Sequence, residues 1–351
     1  MYFVLYDRFL NSIGDPYVLE SWSRTQRAVD LDSIRIEGEL IPFSADPFFV
    51  VINDRQGKPM FSGLASTPII NNKTKKTSII LKDYCTLFNS DIIINQANFT
   101  GTSLADYVDF VLTLWRSQTE IGFSGITWDV SGIVSQTISH ARGEASNQNL
   151  NVYNHIFGLI NYYDLYIDCA LDIHNKSLSF TFLRSGLNPV SVKLSDFGVD
   201  VIEKSFGDYN RATVYNHKYE RKFKYALSTS NNIVLLKDLV PSASLVFPAK
   251  NRNFIAEEPR EDLTENDALQ NALYDAVMGL AENRYQENID LDAQKYKSLL
   301  DLTTIDFSYR ISVYTDEGYY KDLPVGEIVT DSRGNHVIRL GHRVQELTQE
   351  I

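Results

Sequence analysis

Cysteine is nearly absent: Cys85 and Cys169 are the only two among 351 residues. Two cannot build a disulfide framework. A single bridge is compatible with the count and the spacing does not decide it; buried free thiols are the expectation. Long apolar runs are missing too, since no stretch approaches the roughly 18 apolar residues that a helical membrane span needs. The N-terminal run carries no basic segment before it, and Asp7-Arg8 interrupts it early, so no secretory leader is read there. The expectation is a chain made in a cytoplasm with no membrane span. Basic residues are the minority, 33 Lys plus Arg against 45 Asp plus Glu, for a net charge of −12. A sequence-specific nucleic-acid binder shows a basic patch. The richest basic run here, Arg221-Lys222-Phe223-Lys224, is short and is expected to be a solvated strand or loop.

The usual catalytic signatures are missing as well. Gly122-Phe123-Ser124-Gly125 is one residue short of a nucleophile elbow. No P-loop, dinucleotide fingerprint or His-Glu-x-x-His occurs. The six histidines, at 140, 155, 174, 217, 336 and 342, are scattered. His336 and His342 lack a Cys or His partner at zinc spacing. Among carboxylates, Asp129 stands beside Trp128, Asp164, Asp168 and Asp172 recur every fourth residue, and Asp290 and Asp292 form a pair. Paired carboxylates can cleave glycosides, but a solvated strand face accounts for each group. The Asp290–Asp292 pair lacks the Gly and distal Glu of a calcium loop. No catalytic, cofactor-binding or metal-binding residue is assigned, no cofactor is expected, and the chain is not expected to be an enzyme.

Aromatic residues are plentiful, with 20 Tyr and 19 Phe. Such side chains fit a pleated, half-buried surface. Tyr2 to Ser66 reads as short strands separated by turns: Tyr2–Tyr6, then Asp7–Asn11, a second strand from Ile13-Gly14, and a hairpin of Phe48–Ile52 and Met60–Leu64. With Ser78–Lys82 this predicts a small curved β-barrel over 1–85. A change of pattern follows. Ser103 with Asp106 forms a capping box, and Leu104, Val108, Val111, Leu112 and Trp115 recur at helical spacing. Leu150, Tyr153, Ile156, Phe157 and Ile160 share the face of a second helix. Leu165–Ile173 and Leu178–Leu183 then form a hairpin. Residues 86–198 are therefore expected to be an α+β domain.

Strand patterns return from Val199. Candidates are Val199–Lys204, Ala212–Asn216, Asn232–Asp238, Ser244–Phe247, Ile305–Tyr314, Val325–Val329 and His336–Gly341. A long helix is expected over 264–285, striped by Leu269, Leu273, Val277 and Leu280. Residues 199–351 make a second β-barrel region, with the alternative that 199–225 return to the first barrel. The fold class is α+β, mostly β: two small barrels, an inserted α+β domain and one long helix.

The opening Tyr6–Gly14, the hairpin ending Phe61-Ser62-Gly63-Leu64, the segment Ile79–Tyr84, the stretch Tyr285–Asp290 and the closing Ile338–Arg343 resemble tail-tip hub proteins of phages of Gram-positive bacteria, in particular the upper-baseplate hub of lactococcal siphophages. The resemblance runs through nearly the whole chain on short motifs. It implies a structural virion protein at the tail tip. It further implies a homotrimer in which two barrels per subunit form a pseudo-sixfold ring, continuing or closing the tail tube and letting DNA pass at infection. Implied partners are a distal tail protein ring, with the tape-measure protein and receptor-binding proteins as further candidates. Many relatives extend past the hub into a peptidoglycan hydrolase or a receptor-binding fibre; this chain, ending at Ile351, departs from those longer members and wall-degrading activity is not expected, and the resemblance brings no catalytic residues. An acidic wall would discourage DNA from sticking. The alternative is a carbohydrate-binding or wall-degrading protein, drawn from Trp22, Trp115, Trp128 and the nearby carboxylates.

Overall fold

The structure, a computed structural model of the chain, describes residues 1–28, 31–42, 47–95, 98–120, 125–135, 147–199, 203–205, 209–216, 221–228, 233–236, 245, 249–255, 280, 286–316 and 318–341. The helix expected over 264–285 lies outside the described residues except for Leu280.

The first unit contains β1 (Tyr2–Tyr6), β2 (Ser12–Arg27), β3 (Ser33–Glu39), β4 (Phe49–Asn53), β5 (Pro59–Ala65), β6 (Ile69–Asn71) and β7 (Lys76–Lys82). β1 pairs antiparallel with both β2 and β4, which closes a six-stranded ring in the order β1-β4-β5-β7-β3-β2. The short β6 forms a hairpin with β7 outside that ring. Alternation does the sorting: Ile34 and Ile36 on β3, and Ile79 and Leu81 on β7, point inward beside Phe3, Leu5 and Ile52. Each such side chain stabilises the fold by about 1.5–3 kcal/mol when fully buried. β4 differs, since all five of its residues are buried. Phe49, on its outer face, belongs to the core of the next unit.

That next unit contains β8 (Asp91–Asn95), α1 (Leu104–Gln118), β9 (Gly125–Asp129), β10 (Asn147–Asn151), α2 (Val152–Tyr163), β11 (Leu165–Asp172) and β12 (Ser177–Arg184). The Ser103–Asp106 capping box starts α1. α2 begins at Asn151, whose side chain accepts the Asn154 N–H, and ends on Asp164 in the left-handed region at φ 53°. Asp164 is therefore a helix cap and stands outside the strand face that carries Asp168 and Asp172. A three-stranded sheet, β11-β12-β9, packs under the helices, with Phe88 lying against both Trp115 and Phe180 at 4.9 and 4.7 Å.

The third unit contains β13 (Asn188–Lys193) and β14 (Glu203–Ser205). Next come β15 (Arg211–Asn216), β16 (Arg221–Leu227), β17 (Ile233–Leu235) and β18 (Asn251–Ile255), which pair among themselves in a separate sheet, β17-β16-β15-β18. The basic run of 221–224 is thus part of a strand, β16. Then come β19 (Gln286–Asp292), β20 (Tyr309–Tyr314), β21 (Tyr320–Asp331) and β22 (His336–Leu340). The expected strand from Ile305 starts only at Tyr309; Leu302, Ile305 and Phe307 instead fold into the core from the connection before it. Six strands follow one another as β13-β20-β21-β22-β19-β14 around that core.

The two barrel units repeat one plan. Numbering the six ring strands of each unit by their order in the chain gives the sequence 1-4-5-6-3-2 around both. They differ at the first strand. β1 lies antiparallel to β4, whereas β13 lies parallel to β20.

Candidate functional site

The two barrels meet edge to edge. Ser23–Arg27 of β2 lie antiparallel to Glu327–Asp331 of β21, so one continuous sheet crosses the seam. β21 bulges between Val325 and Glu327, and Gly326 sits at the bulge. Its carbonyl accepts the Ala28 N–H at 3.0 Å. A Cβ there would stand 2.0 Å from the Gly341 carbonyl oxygen, so only glycine fits this close approach. Next to it, Glu327 is 4% exposed. Its carboxylate accepts from Arg27 Nε of β2 at 3.1 Å and from Arg339 of β22, whose Nε also reaches Asp290 at 3.2 Å. A buried carboxylate between two guanidiniums is satisfied on both oxygens and ties both barrels to one side chain.

Beside the seam, all three units line a cavity of about 190 Å³. The first barrel contributes Arg24 and Asp32, and its exit contributes Asp83 and Cys85. β11 contributes Asp168 and Cys169, and the third unit Asp306 and Phe307. Asp32 accepts the Arg27 backbone N–H at 2.8 Å and lies 3.6 Å from Arg24. Burial, reinforced by Asp83, pushes its pKa up to about 8 despite Arg24. Burial raises Asp83 too, against the N–H of Cys85, which donates to it at 2.6 Å. Cys85 and Cys169 are free thiols with sulfurs 3.7 Å apart. Burial pushes the Cys85 pKa well up. For Cys169 the hydrogen bond with Cys85 pulls down, but burial and the carboxylates of Asp83, Asp32 and Asp168 carry it to about 12.

The carboxylates weighed from sequence do not converge on one another. Trp128 Nε1 donates to Asp109 at 2.7 Å, and Asp129 accepts the Ser131 N–H at 2.8 Å. Asp172 holds Asn175 in the β11–β12 turn, Asp290 pairs with Arg339, and Asp292 accepts the Lys295 N–H. Only Asp168 reaches the cavity. Trp115 is fully buried, and Trp22 packs on Phe61 at 4.8 Å. Burial lowers the His336 pKa. His342 and Gly122–Ser124 lie outside the described residues. Sequence reading missed the Asp32–Asp83–Cys85–Cys169 group: Asp83 and Cys85 are neighbours, but Asp32 and Cys169 lie too far from them in the chain for any spacing rule.

No protein-family model and no curated relative matches the chain. Solved structures do. The chain is similar to the 43 kDa tail protein of prophage MuSo2 from Shewanella oneidensis at 13% identity and a TM-score of 0.49, covering 97% of this chain and 98% of that one. It is similar to the prophage tail protein gp18 of Listeria monocytogenes EGD-e at 13% identity and 0.49, covering 98% and 95%. A tail protein of Neisseria meningitidis MC58 aligns at 12% identity and 0.48, covering 97% and 96%. At these identities the likeness concerns the fold alone.

Proposed function

We propose that the chain is a structural subunit of a bacteriophage tail tip: a homotrimeric hub of siphophage type that continues or closes the tail tube and lets DNA through at infection. The observation that supports this reading is the repeated strand order of the two barrels and their edge-to-edge seam. Three copies would supply six barrel units to one ring, and alternation of the two kinds gives the threefold symmetry of closed assemblies.

The seam within the chain supplies the pattern for the seam between chains. Thr25 of β2 faces Ser33 at the start of β3; Ser205 of β14 faces Gln286 at the start of β19. β14 is therefore the counterpart of the part of β2 that meets β21. On the other side, the end of β21 turns into β22 from Thr330 to His336, as β6 turns into β7 from Asn71 to Lys76. β6 is thus the counterpart of the end of β21. Among the described residues β6 pairs only with β7, and β14 only with β19. An open strand edge is a template for another chain. In the proposed ring β14 of one copy lies along β6 of the next, where Ile69 is 65% exposed. The net charge of −12 suits a conduit that DNA slides past. A distal tail protein ring is the neighbour this reading calls for.

Light scattering or native mass spectrometry at tens of micromolar tests the reading, with and without tail-tip neighbours. A trimer is expected, and Ile69→Lys should shift it toward monomer without changing the circular dichroism. A monomer under all these conditions overturns the proposal.

A further inference from the structure

The structure assigns a zinc-type metal site to the junction cavity, with Asp83, Cys85 and Cys169 as ligands. Their donor atoms all lie within 4.8 Å of one another. The two sulfurs are 3.7 Å apart, and Cys169 Sγ is 3.8 Å from Asp83 Oδ1. Two thiolates at about 2.3 Å from a tetrahedral zinc stand about 3.8 Å apart, as tetrahedral geometry requires. A disulfide would need about 2.05 Å. The sulfurs therefore already stand at the edge length of a metal tetrahedron. Two sulfurs with one carboxylate select zinc over calcium or magnesium, which take oxygen ligands.

Three ligands leave one position open, and the cavity beside them has room for a water or for the carboxylate of Asp32, which lines the same space. Binding involves no oxidation: each S–H bond breaks heterolytically, the electron pair stays on sulfur to bind the metal, and two protons leave to water. Cys169 sits in the middle of β11, whereas Asp83 and Cys85 lie just beyond β7, so the ion would clip the inserted domain to the first barrel. The site is independent of the trimer.

The test uses the full chain, free of any polyhistidine tag and purified under reducing conditions. After exposure to zinc and dialysis, elemental analysis should find about one zinc per chain. Cobalt(II) substituted for it should show thiolate-to-cobalt charge transfer in the near ultraviolet. Cys169→Ser, at a half-buried position, should lose the charge-transfer signal and at least about nine-tenths of the metal, with circular dichroism reporting that the fold is kept. Asp83→Asn provides a second variant and should keep the thiolate signal at about tenfold or more weaker affinity. No thiolate band on the folded wild-type chain overturns the assignment. So does zinc retained undiminished by Cys169→Ser, or a Cys85–Cys169 disulfide in protein purified without oxidant.

Discussion

The first barrel and the second share a strand order but not a closure. β1 leads straight into β2 through the turn at Asp7–Asn11, so it runs antiparallel to β2 and, on its other side, to β4. β13 arrives instead from the inserted domain and leaves through the 3-10 turn at Leu194–Phe197, so it enters its unit the other way up, parallel to β20. The fillings differ as well. The first core draws mainly on the ring strands and shares the outer face of β4 with the inserted domain. The second gains Leu302, Ile305 and Phe307 from the connection between β19 and β20. The neighbour-to-neighbour pairings are what the two units hold in common, while the first strand and the long connections diverge.

The largest effect on this comparison is expected from crowding two closely approached glycines, one in each barrel. A Cβ on Gly326 would meet the Gly341 backbone at 2.0 Å, and one on Gly38 would meet Val18 O at 2.4 Å and Phe3 Cε1 at 2.7 Å. Gly326→Val should cost about 3 kcal/mol or more in urea unfolding. Gly38→Ala should cost less, about 1–3 kcal/mol, because one of its two close neighbours is a ring edge that can move. Equal losses would mean that the β21–β22 bulge of the second barrel is no tighter than the β2–β3 contact of the first.

Next comes the clasp. Glu327→Gln leaves Arg27 and Arg339 facing one neutral amide, and both guanidiniums are about a third exposed. A buried pair broken on one side loses about 3–5 kcal/mol, and solvent around the two arginines reduces this to about 2. If the barrels unfold separately in the variant and together in the wild type, by two-probe denaturation, the seam is what couples them. Coincident transitions in both proteins would assign Glu327 to the second barrel alone.

A smaller effect is expected from pH in chelator-treated protein. The Asp32 pKa is raised to about 8 in the fold, against an ordinary value of 3.8. Between those values the folded state holds a proton that the unfolded state has lost. Its contribution is therefore full below about pH 4 and declines as pH rises toward 8. Asp32→Asn should flatten that part of the stability profile. An unchanged slope would show that Asp32 does not carry it.

The smallest effect separates the turns. Asp7 is held below its ordinary pKa chiefly by the Asn11 N–H; at Asp331 burial opposes, but the bonds from Asn335 and Arg333 outweigh it. Lowered pKa values stabilise above about pH 4, and the contribution fades as pH falls through the folded value. Asp7→Asn and Asp331→Asn should each lower the thermal midpoint slightly at pH 7 and not at all near pH 2. Unequal losses would mark which turn its barrel depends on more.

Local signals account for what was legible. The capping box at Ser103, the hairpin of β4 and β5, the alternation of Leu178, Phe180 and Phe182, and the closing strand β22 all follow from neighbours a few residues away. β3 escaped notice, although Ile34 and Ile36 alternate with Arg35 and Glu37, because its run is short and charged. β13 did too, with Pro189 inside it. The order of strands around each ring depends on partners far apart in the chain, such as β2 and β21, and no short window contains that information. The cavity shows the same limit. Cys85 and Cys169 are 84 residues apart, so only the fold brings the sulfurs face to face.

The link between Arg27 and Glu327 spans 300 residues. During synthesis at about 5–20 residues per second, the outer edge of β2 waits roughly 15–60 seconds for its partner strand to emerge. Throughout that interval it is an open template beside other nascent copies. Glu20, Arg24 and Arg27 place charges along this strand, the kind of guard that keeps an edge from pairing with the wrong chain. On this schedule the emergence of β21 times the first barrel's docking, and a chain interrupted before it never presents a finished seam.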